Sequence, residues 1–374
     1  MQSYDVVVIG LGAMGSAALH HAARRGVRVL GVDRFGPGHD RGSSHGVTRV
    51  IRLGYFEHPS YVPLLRRAYH LWRDLEAESG QALLTVTGIA EIGPANGMLV
   101  PATLASARLH DLVHEIIDAR ALMKRIPAFR VPDDYVAVLQ PDGGFLAAEA
   151  AVAAQHALAQ SHGADIRTGT TIRAIEPRDG HVRIVTADAV IEAGVAIVAA
   201  GAWTPTLLAD FALPLHATRQ VQAWFEPADP GPVGLGSLPV FLLESRHGVH
   251  YGFPQRDARG VKVAKHHHAQ EIVDPERYDR GVSARDEALI RAAIADHLPA
   301  ADGPMRSAQT CLYTMTPDGD FLIDHAPGAS NVIIASPCSG HGFKFAPVIG
   351  EILADLAIDG ATRHDISRFR LGRF

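Results

Sequence analysis

Apolar residues fall into short unbroken runs near both ends of the chain and alternate with polar residues in between, so two kinds of sheet are predicted. Val6-Val7-Val8-Ile9 is a β-branched run suited to a parallel strand buried on both faces, and it enters Gly10-Leu11-Gly12-Ala13-Met14-Gly15 directly. A helix is predicted over Ser16 to Arg25, then a strand from Val27 to Val32 that ends at Asp33. Asp165-Ile166-Arg167 opens a β run through Ile172 and Ile175, a hairpin-like stretch covers His181 to Ile191, and Val195 to Ala200 enters Gly201-Ala202-Trp203. Near the C-terminus, Val332 to Ala335 leads through Ser339-Gly340-His341-Gly342-Phe343-Lys344-Phe345 into a helix from Ala346 to Ile358, closed by Gly360. Between these lie alternating segments such as Gln220 to Phe225 and Gly248 to Phe253, with Pro/Gly-rich turns at 229–239. The expected fold is α/β plus antiparallel β. A Rossmann-like nucleotide domain (1–83, 144–213 and 314–374) is interleaved with an antiparallel-sheet domain (84–143 and 214–313).

In the first motif each glycine has its own task. Gly10 permits the tight turn, Gly12 lets the backbone approach a pyrophosphate, and Gly15 lets the helix pack on the sheet. Ala13 and Met14 lie inside the same turn, and the helix N-terminus behind them favours phosphate. Asp33, 23 residues after Gly10, can accept hydrogen bonds from a ribose, with Arg34 next to it. Strand, turn, helix, strand and acid together indicate dinucleotide binding without separating FAD from NAD.

Composition narrows the class. The chain of 374 residues exceeds one ordinary core, and 35 basic against 40 acidic residues, without long runs of one sign, argue against a nucleic-acid surface. No apolar stretch reaches the length of a membrane span and no leader pattern is visible, so a soluble cytoplasmic protein is expected. The 21 histidines show no HExxH or Cys-x2-Cys spacing, and no metal site is expected. Only two cysteines occur, Cys311 and Cys338. A free cysteine is usually a small buried hydrophobe, yet Cys311 stands in Thr310-Cys311-Leu312-Tyr313-Thr314-Met315-Thr316-Pro317-Asp318, whose turn asks for a chemical explanation.

Five strings in order carry a resemblance: the glycine turn, Gly42-Ser43-Ser44-His45-Gly46-Val47-Thr48-Arg49-Val50-Ile51-Arg52, Lys262-Val263-Ala264-Lys265-His266, Cys311-Leu312-Tyr313-Thr314 and Ser339 to Phe345. Together they resemble the monomeric sarcosine oxidase and N-methyl-tryptophan oxidase family over essentially the whole chain. The resemblance implies an FAD-binding domain of the glutathione-reductase type, with FAD attached through the Cys311 sulfur to the 8α-methyl of the flavin; Cys338 is the other candidate thiol. It implies oxidation of the secondary amine of an N-methyl amino acid by O2, giving the demethylated amino acid, formaldehyde and H2O2, and it implies a monomer.

By the same resemblance Arg52 and Lys344 clamp the substrate carboxylate, with Tyr251, Gly340 and Leu242 at the substrate pocket. Lys262 activates oxygen, Arg49 and His45 line the flavin edge, and His266 and Tyr313 face the reacting groups. Ser43, Ser44, Gly201, Trp203, Gly340, His341, Gly342 and Lys344 would contribute to holding the cofactor.

Some strings depart from the pattern. Leu53-Gly54-Tyr55-Phe56-Glu57-His58 and Pro337-Cys338 differ from the best-known members, and Leu242 replaces a methionine familiar from sarcosine oxidases. The Cys311 string looks like sarcosine oxidase, whereas Lys265-His266, Gly88 to Pro94 and the Phe369 to Phe374 ending look like N-methyl-tryptophan oxidase. The substrate therefore stays open among sarcosine, N-methyl-L-tryptophan, L-pipecolate and other cyclic or primary amino acids. More distant rivals are an NAD-dependent dehydrogenase, which has no use for Cys311, and a non-catalytic binding protein.

Overall fold

The computed structural model describes residues 2–374. Strand Gln2–Ile9 is the spine of an eight-stranded sheet, pairing in parallel with Val29–Val32 on one side and with Val190–Val198 on the other. Its side chains alternate as a doubly buried strand must: Val6 and Val8 enter one core, Val7 and Ile9 the opposite one. The long strand Val190–Val198 pairs first with antiparallel His181–Thr186 and then with parallel Ala329–Ser336. Asp165–Arg167 and Ile172–Arg178 are separate strands at opposite edges of this sheet and do not form the single run expected between them. The intervening turn takes Gly169 into the left-handed region (φ +67°), which ends the first strand.

Helix Ala13–Arg24 begins three residues earlier than expected and packs between helices Ala148–Ser161 and Ala346–Asp359. The approach is close because Gly350 carries no side chain: a Cβ there would lie 2.5 Å from the Ala17 carbonyl carbon. Gly360, at φ +73°, stops the last of these helices.

The second sheet has nine strands drawn from residues 89–140 and 216–315. It is not wholly antiparallel: Val240–Ser245 runs parallel to Ile89–Pro94. These two strands belong to separate excursions of the chain, so no tight turn fixes their relative direction. Strand His216–Phe225 pairs with Met305–Met315 along nearly its full length, placing Gln220 opposite Cys311. A small third sheet joins Thr48–Ile51, Gly144–Ala147 and Leu84–Val86. It takes residues 84–86, assigned above to the antiparallel domain, away from the nine-stranded sheet. Among the described residues, no helix is long and apolar enough to cross a membrane.

Candidate active site

The three glycines of the first turn divide their work as expected, for different physical reasons. A Cβ on Gly15 would sit 1.7 Å from the Gly10 carbonyl oxygen, and Gly10 itself holds φ +90° against Ala199. These two are demanded by the protein. Gly12 is different, because within 4 Å a Cβ there would meet only the Ser44 hydroxyl, at 3.1 Å. Its missing side chain opens onto a cavity of about 410 Å³ that is also lined by Ala13, Met14, Asp33, Arg34, Ser43 and Ser44.

Ala13 N–H donates to Ser44 Oγ (3.0 Å), while N-cap Gly12 supplies no side chain to the other free amides of the helix. Asp33 accepts from the backbone N–H of Leu11 (2.6 Å) and of Phe35 (2.7 Å), so its carboxylate braces the turn and still has lone pairs to offer. Farther along the wall, Glu276 accepts from Trp203 Nε1 (2.7 Å) and is paired with Arg34. Gly201 lies between them in sequence at φ +54°, with no atom within 4 Å of a would-be Cβ. An open glycine cradle at a helix start and a braced acid at the end of the neighbouring strand fit a dinucleotide.

The nine-stranded sheet supplies the far wall. Cys311 is buried, lines the cavity, and accepts a hydrogen bond from Gln222 Nε2 (3.2 Å). Cys338 lines the same cavity, but burial pushes its thiol up to about 11, a poor state for a nucleophile. Tyr251 and Tyr313 sit against each other, and burial raises both hydroxyls, Tyr251 to about 12. His266 stacks against His267 (3.9 Å between centroids) and near Tyr313 (5.8 Å), and burial holds it neutral. Gly340, at φ +83°, leaves room for the Tyr313 ring, which would lie 2.5 Å from a Cβ. Leu242 also faces the cavity.

Arg52 and Lys344 are brought together. Arg52 is 2% exposed; it donates to the Gly54 carbonyl (2.5 Å) and Glu57 (2.7 Å), and lies 3.5 Å from Glu91. Its guanidinium is stacked over Tyr55 (4.4 Å) and Phe56 (4.7 Å). Burial works against its charge, but Glu57 and Glu91 hold it charged. Lys344 donates to the His341 carbonyl (2.7 Å) and, among the described residues, has no carboxylate within ion-pair distance; burial and the Arg52 charge bring it down to about 7. Burial would raise Glu57, yet Arg52 and the other surrounding cations bring it to about 2. Glu91, fully buried, is instead raised to about 7 by burial. One of its oxygens accepts from Gln140 Nε2 (2.8 Å), and the Gln140 oxygen accepts from Gly54 N–H (2.8 Å), which closes a ring around Arg52.

Three expected site residues stand differently. Lys262 is not on the cavity wall: its ammonium is buried behind strand Thr48–Ile51, donating to Gly46 O (2.6 Å), Thr48 O (2.9 Å) and Thr48 Oγ1 (3.3 Å), over Phe253 and Trp224. The strand register that sets Lys262 opposite Trp224 turns it toward Gly46 and the start of the strand that carries Arg49. His45 is also buried behind the wall, with neither ring nitrogen partnered, and Arg49 wraps its loop by donating to Ser43 O (2.7 Å) and His45 O. The His341 ring is spent on the protein, between Tyr55 OH (2.6 Å) and Gly319 O (3.0 Å), and burial lowers it to about 4; it meets the cavity as part of the glycine-rich turn.

Glu57, Glu91, Gln222 and Glu276 had not been anticipated. Glu91 had left one trace, as a glutamate inside the apolar run Ile89-Ala90-Glu91-Ile92.

The cluster has a definite pH response. Lys344, depressed to about 7, loses its positive charge as pH rises through 7, and Glu91 gains a negative charge over the same range. Affinity for a small carboxylate, followed by titration on either side of pH 7, is therefore expected to be strong below 7 and to fall by up to about tenfold per pH unit for each proton lost above it. Glu91→Gln should make that fall shallower; a carboxylate affinity that is flat across pH 7 would contradict the assignment.

The comparisons with known proteins agree with this geometry. Residues 5–356 match the model of the FAD dependent oxidoreductase family, DAO. The chain is 40% identical over 375 residues to a monomeric sarcosine oxidase of Bacillus sp. (strain NS-129), covering 99% of this chain and 97% of the relative. It is 38% identical over 373 residues to an N-methyl-L-tryptophan oxidase of Salmonella typhi, covering 99% of each. Among solved structures, NikD, an amino acid oxidase of nikkomycin biosynthesis, superposes with a TM-score of 0.88 at 27% identity, covering 99% of this chain and 98% of that one. With the glycine cradle, the braced acid and near-complete matches all in place, the chain belongs to the FAD-dependent oxidoreductases of the DAO family, alongside the sarcosine and N-methyl-tryptophan oxidases.

Proposed function

We propose that this protein oxidises the secondary amine of a sarcosine-like N-methyl amino acid with O2, giving the demethylated amino acid, formaldehyde and H2O2. The observation that carries this reading is the pair of buried cations, Arg52 and Lys344, on the wall of the cavity that also holds the glycine cradle and Cys311. Bound FAD supplies the two-electron oxidant; Gly10, Gly12, Asp33, Ser44 and the residues around Gly201 and Gly342 would hold it. In keeping with this division of labour, residues 1–83, 144–213 and 314–374 form the cofactor part, and 84–143 and 214–313, apart from strand Leu84–Val86, the substrate part. The protein acts as a cytoplasmic monomer.

The chain's own residues recognise the acid end of the substrate. Arg52 already holds a carboxylate, that of Glu57, through Nη2, so a substrate carboxylate can take the same place with Lys344 adding a second charge. Tyr251, Tyr313 and His266 offer a neutral wall to the amine, favouring its uncharged form, the form with a lone pair for oxidation. That wall has no free carboxylate to act as base, since Glu57 is engaged with Arg52. Gln222 places a donor on the Cys311 sulfur, which suits the anchoring role for that cysteine. Lys262 sits one layer deeper, where burial and the Arg49 charge hold its ammonium well below the usual lysine range, so negative charge developing as oxygen is reduced would draw it toward its protonated form.

Three outcomes test this reading. Arg52→Ala removes one partner of a buried charge cluster, at a cost of about 2–5 kcal/mol, so KM for sarcosine or N-methyl-L-tryptophan, scored by peroxide release, should rise at least about thirtyfold; unchanged kinetics would remove Arg52 from the substrate site. Acid precipitation should leave the yellow colour in the pellet of the wild type and release it to the supernatant in Cys311→Ser, whereas release in both would exclude the covalent anchor. In rapid-mixing experiments Lys262→Met should slow reoxidation by oxygen far more than anaerobic reduction by substrate, and equal effects on the two would contradict its role.

A further inference from the structure

Far along the helix that starts at the glycine turn, a second group of chemical ligands converges on the other side of the nucleotide half. His20 stands on helix Ala13–Arg24, Glu78 in the last turn of helix Val62–Ser79, and His162 caps the C-terminus of helix Ala148–Ser161. Their ligand atoms all lie within 4.8 Å of one another. His20 Nε2 is 3.5 Å from one Glu78 oxygen, and His162 Nε2 is 2.7 Å from the other. The residues are 58 and 84 positions apart in pairs that obey no local spacing, which is why no metal motif was visible in the sequence.

We propose that His20, Glu78 and His162 form a binding site for a borderline divalent transition-metal ion of the Zn2+ type, which ties three helices together behind the cofactor domain. His20 is 4% exposed, and among the described residues its Nε2 makes no well-formed hydrogen bond, only the 3.5 Å approach to Glu78. A buried ring nitrogen so weakly held by a carboxylate is costly, and a cation between them satisfies both.

The spacing suits the chemistry. Metal bonds of about 2.0–2.2 Å at tetrahedral angles set ligand atoms roughly 3.3 Å apart. The His20–Glu78 separation is already close to this, and His162, whose side chain is 38% exposed, needs to open from Glu78 by only about 0.6 Å. Two imidazoles and one carboxylate select zinc, cobalt or nickel over calcium or magnesium.

The charged neighbours are Arg24, whose Nη1 is 3.6 Å from Glu78, and Asp74. Arg24 opposes a cation, but its side chain is 44% exposed and can turn to solvent. The site lies outside the active-site cavity and shares no residue with it.

The test uses the full-length, flavin-loaded protein, stripped of metal with a chelator and titrated with Zn2+ alone by calorimetry, with the unfolding midpoint followed in parallel. The expected result is one equivalent bound and a raised midpoint, both lost or weakened at least about tenfold in His162→Ala and in Glu78→Gln, with amine oxidation unchanged in both. His162 is partly exposed, so its replacement should fold even if a change at buried His20 does not. Absence of Zn2+ binding in the wild type would overturn the proposal. So would binding that survives in both variants, which would place the ion on other surface histidines.

Discussion

A guanidinium with almost no access to water cannot stand alone, and one wall of the cavity is arranged around that constraint. Arg52 is charged, buried and stacked on two aromatic rings, so the chain must supply it with anions and carbonyls from several elements at once. Glu57 and the Gly54 carbonyl come from its own loop, Glu91 from the nine-stranded sheet, and Gln140 links Glu91 back to Gly54. Lys344 enters from the glycine-rich turn of the nucleotide half. The cluster is therefore where the sheets meet, and it leaves a cation poised beside the cavity.

The distribution of charge in that cluster also explains why two glutamates so close together differ. Glu57 bonds directly to Arg52 and stays ionised; Glu91 is farther from the guanidinium, fully desolvated, and rises toward neutrality. With Glu91 protonated, Arg52 and Lys344 carry one more positive charge than Glu57 balances. That surplus suits one incoming carboxylate. The neutral tyrosines and histidine across the cavity leave the amine end of such a ligand without a counter-charge, which orients it.

Much of this was legible in the sequence where the signal is local. The strand, glycine turn, helix and acid of residues 2–33 depend on neighbours a few positions apart, and the structure departs from expectation there only at element ends, the helix starting at Ala13 and ending at Arg24, and the second strand starting at Val29. Arg52, Lys344, Cys311, Tyr251 and Tyr313 share one cavity, as the resemblance implied. What the sequence could not carry was register. The parallel pairing of residues 240–243 with 89–92, the turning of Lys262 behind strand Thr48–Ile51, and the Glu91–Gln140 contact all depend on how distant strands slide against each other. The hydrogen bonds of the His341 ring escape the sequence for a similar reason, because its partners Tyr55 and Gly319 are remote in the chain.

The central claim is that Glu57 occupies, within the protein, the place a substrate carboxylate takes on Arg52. The most direct measurement is the affinity of a small, unreactive carboxylate for Glu57→Gln against the wild type at one pH below 7. Removing the internal anion while leaving Arg52 and Lys344 in place should tighten binding. Equal or weaker binding by Glu57→Gln would contradict the account.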